Sequence, residues 1–125
     1  MARVIDVAIE EMTAEQRRVY QEIGGARGGV VRGPFAIWLR NPQLADQANQ
    51  FRNAFRVTGK LDKRLFELMV LVVARHWSAQ YEWFVHERNG LAAGLPQEIV
   101  DAMRTRSTPE FAREDERVVY DTITE

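Results

Sequence analysis

The sequence predicts an all-α fold, and three observations carry that expectation. Apolar residues recur at three- and four-residue intervals, as in Leu44, Ala45, Ala48, Phe51 and Phe55. Helix starts (Thr13, Asn41, Asp62, Ser78) alternate with glycine stops (Gly24, Gly59, Gly94). Strand-type alternation is confined to a loose pattern in the first dozen residues. The stretch that organises the chain is 67–86, ELMVLVVARHWSAQYEWFVH, which reads as a central antiparallel helix hairpin.

Taken in order, residues 1–12 read as an extended lead-in. Thr13 caps the first helix with Gln16 at the capping-box position. Val19, Tyr20 and Ile23 form its apolar contacts, and Gly24 and Gly25 stop it. Residues 24–33 hold five glycines with Arg27 and Arg32, so this backbone can approach a ligand or a neighbouring subunit closely, or form a surface loop. It lacks a preceding strand and a Lys-Ser/Thr ending, which argues against a phosphate loop. Pro34 suits the first position of a short helix bearing Phe35, Ile37, Trp38 and Leu39, too apolar for a free surface. Asn41 and Pro42 open the next helix, which Gly59 ends.

Asp62 caps the central helix, which runs to about His76 and is apolar nearly all round over 65–74, so it is expected to be buried on most sides. The turn falls near Trp77. Ser78 is expected to cap the following helix, with Glu82, Trp83, His86 and Glu87 in its middle and Gly94 as its stop. Pro96 opens a helix to about Met103. Ser107, Thr108, Pro109 and Glu110 supply the start of the last helix, with Phe111, Val118 and Val119 apolar.

Composition bounds the function. With 125 residues, 46% of them apolar, the chain reads as a single domain over 1–125 with a modest core. A formal net charge of -1 supplies no basic field for nucleic acid or acidic lipid, so neither partner is expected. The absence of cysteine removes disulfides, thiolate metal sites and thiol redox chemistry. The acidic N-terminus lacks a signal-peptide core, and the longest apolar run, 68–74, is too short for a bilayer, so a cytoplasmic protein is the expectation.

Glu67 lies about ten residues before the turn and His86 about nine after it. At roughly 1.5 Å per residue these positions reach the same height on antiparallel neighbours. Glu82 and His86, four apart, share one helical face. A Glu67/Glu82/His86 cluster follows if both faces turn inward, and a histidine beside carboxylates suits acid/base work. The competing readings are structural: Glu67 as a buried carboxylate paired with Arg64 or Arg75, His86 as a hydrogen-bonded core histidine, and Glu82 with His86 as a helix-surface pair. Trp77, Tyr81, Trp83 and Phe84 read either as packing or as a stacking platform for a ligand, and His76 as solvent-facing. No metal is expected, because the pattern offers no His-Glu-x-x-His and no second ligand helix of the di-iron type. No serine elbow is present.

The succession Asp62, Arg64, Glu67, the apolar run to Ala74, Ser78-Ala79-Gln80-Tyr81-Glu82-Trp83, His86, Gly94-Leu95 and Glu98-Ile99 resembles the carboxymuconolactone decarboxylase family, which shares its fold with alkylhydroperoxidase D. The resemblance covers roughly residues 35–105. It implies an alkylhydroperoxidase D-like helical bundle that assembles as a homo-oligomer, a trimer or hexamer, through the helices that build the site.

In the alkylhydroperoxidase D branch a Glu precedes Cys-x-x-Cys-x-x-x-His. Here Glu67 and His86 match, while Ala79 and Glu82 stand at the cysteine positions, so thiol peroxidase activity is not expected. The decarboxylase branch implies instead a cofactor-free lyase or hydrolase acting on a small carboxylated lactone, with Glu67, Glu82 and His86 catalytic. Arg27, Arg32 and Tyr81 are the expected substrate contacts, an arginine matching a carboxylate in two-pronged geometry. The alternatives are a peroxidase relative without redox cysteines and a noncatalytic small-molecule-binding oligomer. Longer members with the Gln-Tyr-Glu-Trp pattern continue past the last helix, so residues 108–125 are expected to open a shortened segment, leaving an apolar face for oligomerisation to cover.

Overall fold

The structure, a computed structural model, describes residues 4–25, 29–56 and 59–125. Among these it contains seven α-helices and no strand, as the apolar spacing predicts. The chain separates into two compact units, 1–58 and 59–125.

In the first unit a 3-10 turn over Ile9–Glu11 replaces part of the expected extended lead-in, and Met12 after it is buried. Helix α1 is Ala14–Gly25, α2 is Pro34–Trp38 and α3 is Pro42–Arg56. The capping box forms as expected: the Thr13 amide donates to Gln16 Oε1 at 2.9 Å and the Gln16 amide to Thr13 Oγ1 at 3.2 Å. Gln16 also donates to the Leu39 carbonyl, tying α1 to the end of α2. The core gathers Met12, Val19, Ile23, Val31, Phe35, Ala36, Leu39 and Ala45. Only part of the α3 stripe joins it. Ala45 is buried, whereas Leu44, Phe51 and Phe55 are exposed, the two phenylalanines stacked edge to face.

The second unit is built on α4, Lys63–His76, against which α5 (Gln80–Ala92), α6 (Gln97–Arg104) and α7 (Glu114–Thr124) all pack. Asp62 caps α4 through the Arg64 amide at 2.9 Å. The core comprises Leu68, Leu71, Val72, Leu95, Ile99, Val100 and Met103, with Trp83, Leu91, Phe111, Val119, Tyr120 and Ile123 packed on it. Fully buried Leu68, Leu71 and Ile99 each contribute about 2 kcal/mol on transfer from water.

Two expectations are corrected in this unit. Ser78 does not cap α5. It adopts the left-handed conformation (φ 52°) and closes α4 instead, the Ser78 amide donating to the Arg75 carbonyl and the Ala79 amide to the Ala74 carbonyl. Ala79 therefore precedes α5 without a side-chain cap. The last helix begins at Glu114 rather than near Pro109. Ser107 is used to terminate α6, its amide donating to the Ala102 carbonyl, and Pro109 is buried in the connection. Acidic Glu114, Asp115 and Glu116 then occupy the first turn, where the helix dipole favours them.

Helix α7 is fixed by charge as well as by apolar contact. Arg64, buried on α4, pairs with the fully buried Glu116 and, at 2.8 Å, with Asp115. A guanidinium offers two parallel donor pairs, so one arginine can hold two adjacent carboxylates of the same helix turn.

Candidate functional site

Three residues named from the sequence meet on the α4/α5 hairpin. Glu67 projects from the middle of α4 and is fully buried, and His86 Nδ1 lies 2.6 Å from its Oε2. On the other side of the ring, His86 Nε2 is 3.3 Å from Glu82 Oε2. The imidazole is thus held between two carboxylates, one per ring nitrogen. The expectation that antiparallel counting brings positions 67 and 86 level is met by the geometry. Arg64, one of the cations considered for Glu67, turns to α7, and Arg75 donates to the Met103 carbonyl.

The local sequence explains the close approach. Gly90, one turn beyond His86 on the same face, is the buried residue of α5. A Cβ there would stand 3.4 Å from Leu95, 3.5 Å from Leu71 and 3.6 Å from the Cβ of Glu67. These are ordinary contact distances, so the site has room for a methyl group but not for a large side chain, and a small residue here keeps the α5 backbone close to α4 at the level of Glu67. Sequence reasoning misses this residue; its signal is a glycine four positions after the histidine, inside a helix where glycine is otherwise unfavourable.

The two carboxylates are not equivalent. The Glu67 side chain has 0% exposure, His86 13% and Glu82 35%, so the array grades from interior to surface. Assigned by its shorter partner, Nδ1–H donates to Glu67, which fixes ring orientation and leaves Nε2 facing Glu82 and the outside. A proton can then pass between Nε2 and either Glu82 or a molecule placed beside it. Next to the array, Trp83 Nε1 donates to Glu87 at 2.8 Å and Glu87 pairs with Arg104, anchoring the same face of α5 to the end of α6.

The remaining expected site residues are Tyr81, Arg32 and Arg27. Tyr81 is exposed and lies five residues before His86, about 140° round the helix at 100° per residue, so it is on the opposite flank. Arg32 is exposed in the first unit, ahead of α2. Arg27 lies outside the described residues. His76 is exposed, as expected.

A concavity of about 550 Å³ lies at the turn end of α4, and the carboxylate–histidine array does not line it. No helix among the described residues is long and apolar enough to cross a membrane. In comparisons with protein-family models, curated proteins and solved structures, nothing matches this chain.

Proposed function

We infer that the chain is a carboxymuconolactone decarboxylase-like, cofactor-free acid/base protein acting on a small carboxylated lactone. The observation that carries this reading is the imidazole bracketed by a buried and a partly exposed carboxylate, Glu67 and Glu82. In such a reaction the ring carbon loses its carboxylate as CO₂ and keeps the electron pair, and the Nε2 proton of the doubly protonated His86 ring quenches it, leaving the neutral ring with Nδ1–H on Glu67. Glu67 holds the ring in the tautomer this requires, and Glu82 reloads Nε2 from solvent. A thiol peroxidase has no support, since neither a nucleophilic nor a resolving cysteine is present.

The test is ultraviolet-monitored turnover of a panel of carboxylated lactones by the wild type, His86→Ala and His86→Gln. The glutamine variant keeps a hydrogen-bonding group against Glu67 in case the alanine variant unfolds. Turnover that falls by about a hundredfold or more in both variants supports the reading. Turnover that survives intact in a folded His86→Gln protein, or is absent from the wild type on every lactone, overturns it.

A second reading, a noncatalytic small-molecule-binding homo-oligomer, is favoured by a different observation. Tyr81 and Phe84, three apart on α5, leave aromatic surface exposed, Phe84 at 62%. A trimer or hexamer would cover this flank, whichever role the array plays. A monomeric mass by light scattering at micromolar concentration would rule assembly out.

A further inference from the structure

The concavity at the turn end of α4 combines an apolar floor with unmatched positive charge. Val72, Met103, Tyr120 and Ile123 line its interior, and Arg75, His76, Trp77 and Arg106 stand around it. At about 550 Å³ it is within the size range of small-molecule sites, which are mostly apolar with a few placed polar groups.

Two arginines of the lining, Arg75 and Arg106, are held without a carboxylate. In the second unit Arg64, Arg104, Arg113 and Arg117 are each matched to carboxylates. Arg75 donates through Nε to the Met103 carbonyl, and Arg106 through Nη2 to the Ser78 hydroxyl, so both are oriented by neutral acceptors and keep their charge unneutralised among the described residues. Glu125 is the one acidic side chain in the lining, and it is not ion-paired to either guanidinium. Trp77 is 75% exposed beside them, presenting a flat apolar face.

We propose that this cavity binds a small aromatic carboxylate, its ring on the apolar floor beside Trp77 and Tyr120 and its carboxylate on Arg75 and Arg106. Guanidinium groups match a carboxylate in two-pronged geometry, and the aromatic lining selects a flat apolar body over an aliphatic or inorganic anion. The site is separate from the carboxylate–histidine array, none of whose residues lines it: Arg75, which would hold the carboxylate, is eight residues beyond Glu67, about 12 Å along the helix at roughly 1.5 Å per residue. It does not depend on the function proposed for that array.

The test is a nitrogen-edited nuclear magnetic resonance titration with 2-naphthoate, with 2-naphthylmethanol as its neutral counterpart. The reporter is the Trp77 indole N–H, assigned by its loss in Trp77→Phe. A saturable shift with the acid is expected, weakened about tenfold or more for the alcohol, for Arg106→Gly and for Arg75→Gln, and unchanged in His86→Gln. Glycine is native to the left-handed conformation at position 106, so Arg106→Gly keeps the turn. Equal binding of acid and alcohol, undiminished binding by both arginine variants, or no Trp77 shift at about 10 mM acid would overturn the proposal.

Discussion

Arg106 donates a 3.0 Å hydrogen bond to the hydroxyl of Ser78, and these two are the non-glycine residues with positive φ among the described residues. Each closes a helix in the same way, Ser78 ending α4 and Arg106 ending α6, whose last carbonyls accept from the amides of residues 78, 79, 106 and 107. A left-handed L-residue costs about 1–2 kcal/mol, against a net gain of about 0.5–1.5 kcal/mol for the bond that joins them. Ser78→Gly and Arg106→Gly should therefore each be nearly neutral, because strain is relieved and the bond lost together. The double variant should be more stable than the wild type by about 1 kcal/mol, since the bond is lost only once. Urea unfolding of the four proteins checks this; additive effects, each destabilising, would count against it.

A small residue at position 90 keeps α5 close to α4 at the level of the Glu67–His86 contact. A Cβ at this position would make ordinary contacts with Leu95, Leu71 and Glu67, so Gly90→Ala should fold with the array intact. It should also gain up to about 1 kcal/mol from helix propensity. Gly90→Leu cannot be accommodated without moving α5 away from α4, and should cost about 1–3 kcal/mol. The imidazole nitrogen signals of His86 should stay in place in the alanine variant and shift in the leucine variant. Thermal unfolding and those signals together check the expectation.

The fold is largely legible in the sequence because its signals are local. Thr13 with Gln16, Pro34 and Asp62 each announce a helix through chemistry confined to one turn, and all three stand where that chemistry puts them. The meeting of Glu67, Glu82 and His86 needs only helix rise and an antiparallel hairpin. Ser78 misleads because a serine suits both an N-cap and, less often, the left-handed residue after a helix, and the sequence does not say which amide it serves. The start of α7 falls later than expected for a similar reason: Ser107 ends one helix instead of opening the next, while the acidic run 114–116 is the better signal. The pairing of Arg64 with Glu116 spans 52 positions and leaves no periodic trace.

That pairing region also sets an expectation for acid. The Arg113 hydrogen bond, with Arg64 next, holds the Asp115 carboxyl well below the usual carboxylate range. A carboxyl whose folded value is depressed binds fewer protons when folded than when unfolded, so it stabilises the fold at pH above its unfolded value of about 3.9. The contribution is complete above about pH 5 and is lost as the pH falls through the ordinary carboxylate range toward the depressed one. The wild type should therefore be more stable than Asp115→Asn by a constant margin between about pH 5 and 8, and the margin should shrink steadily below about pH 4. Melting temperatures of the two proteins across this range check it. A margin that instead widened in acid would mean that Asp115 is not held by Arg113 and Arg64 in the folded state.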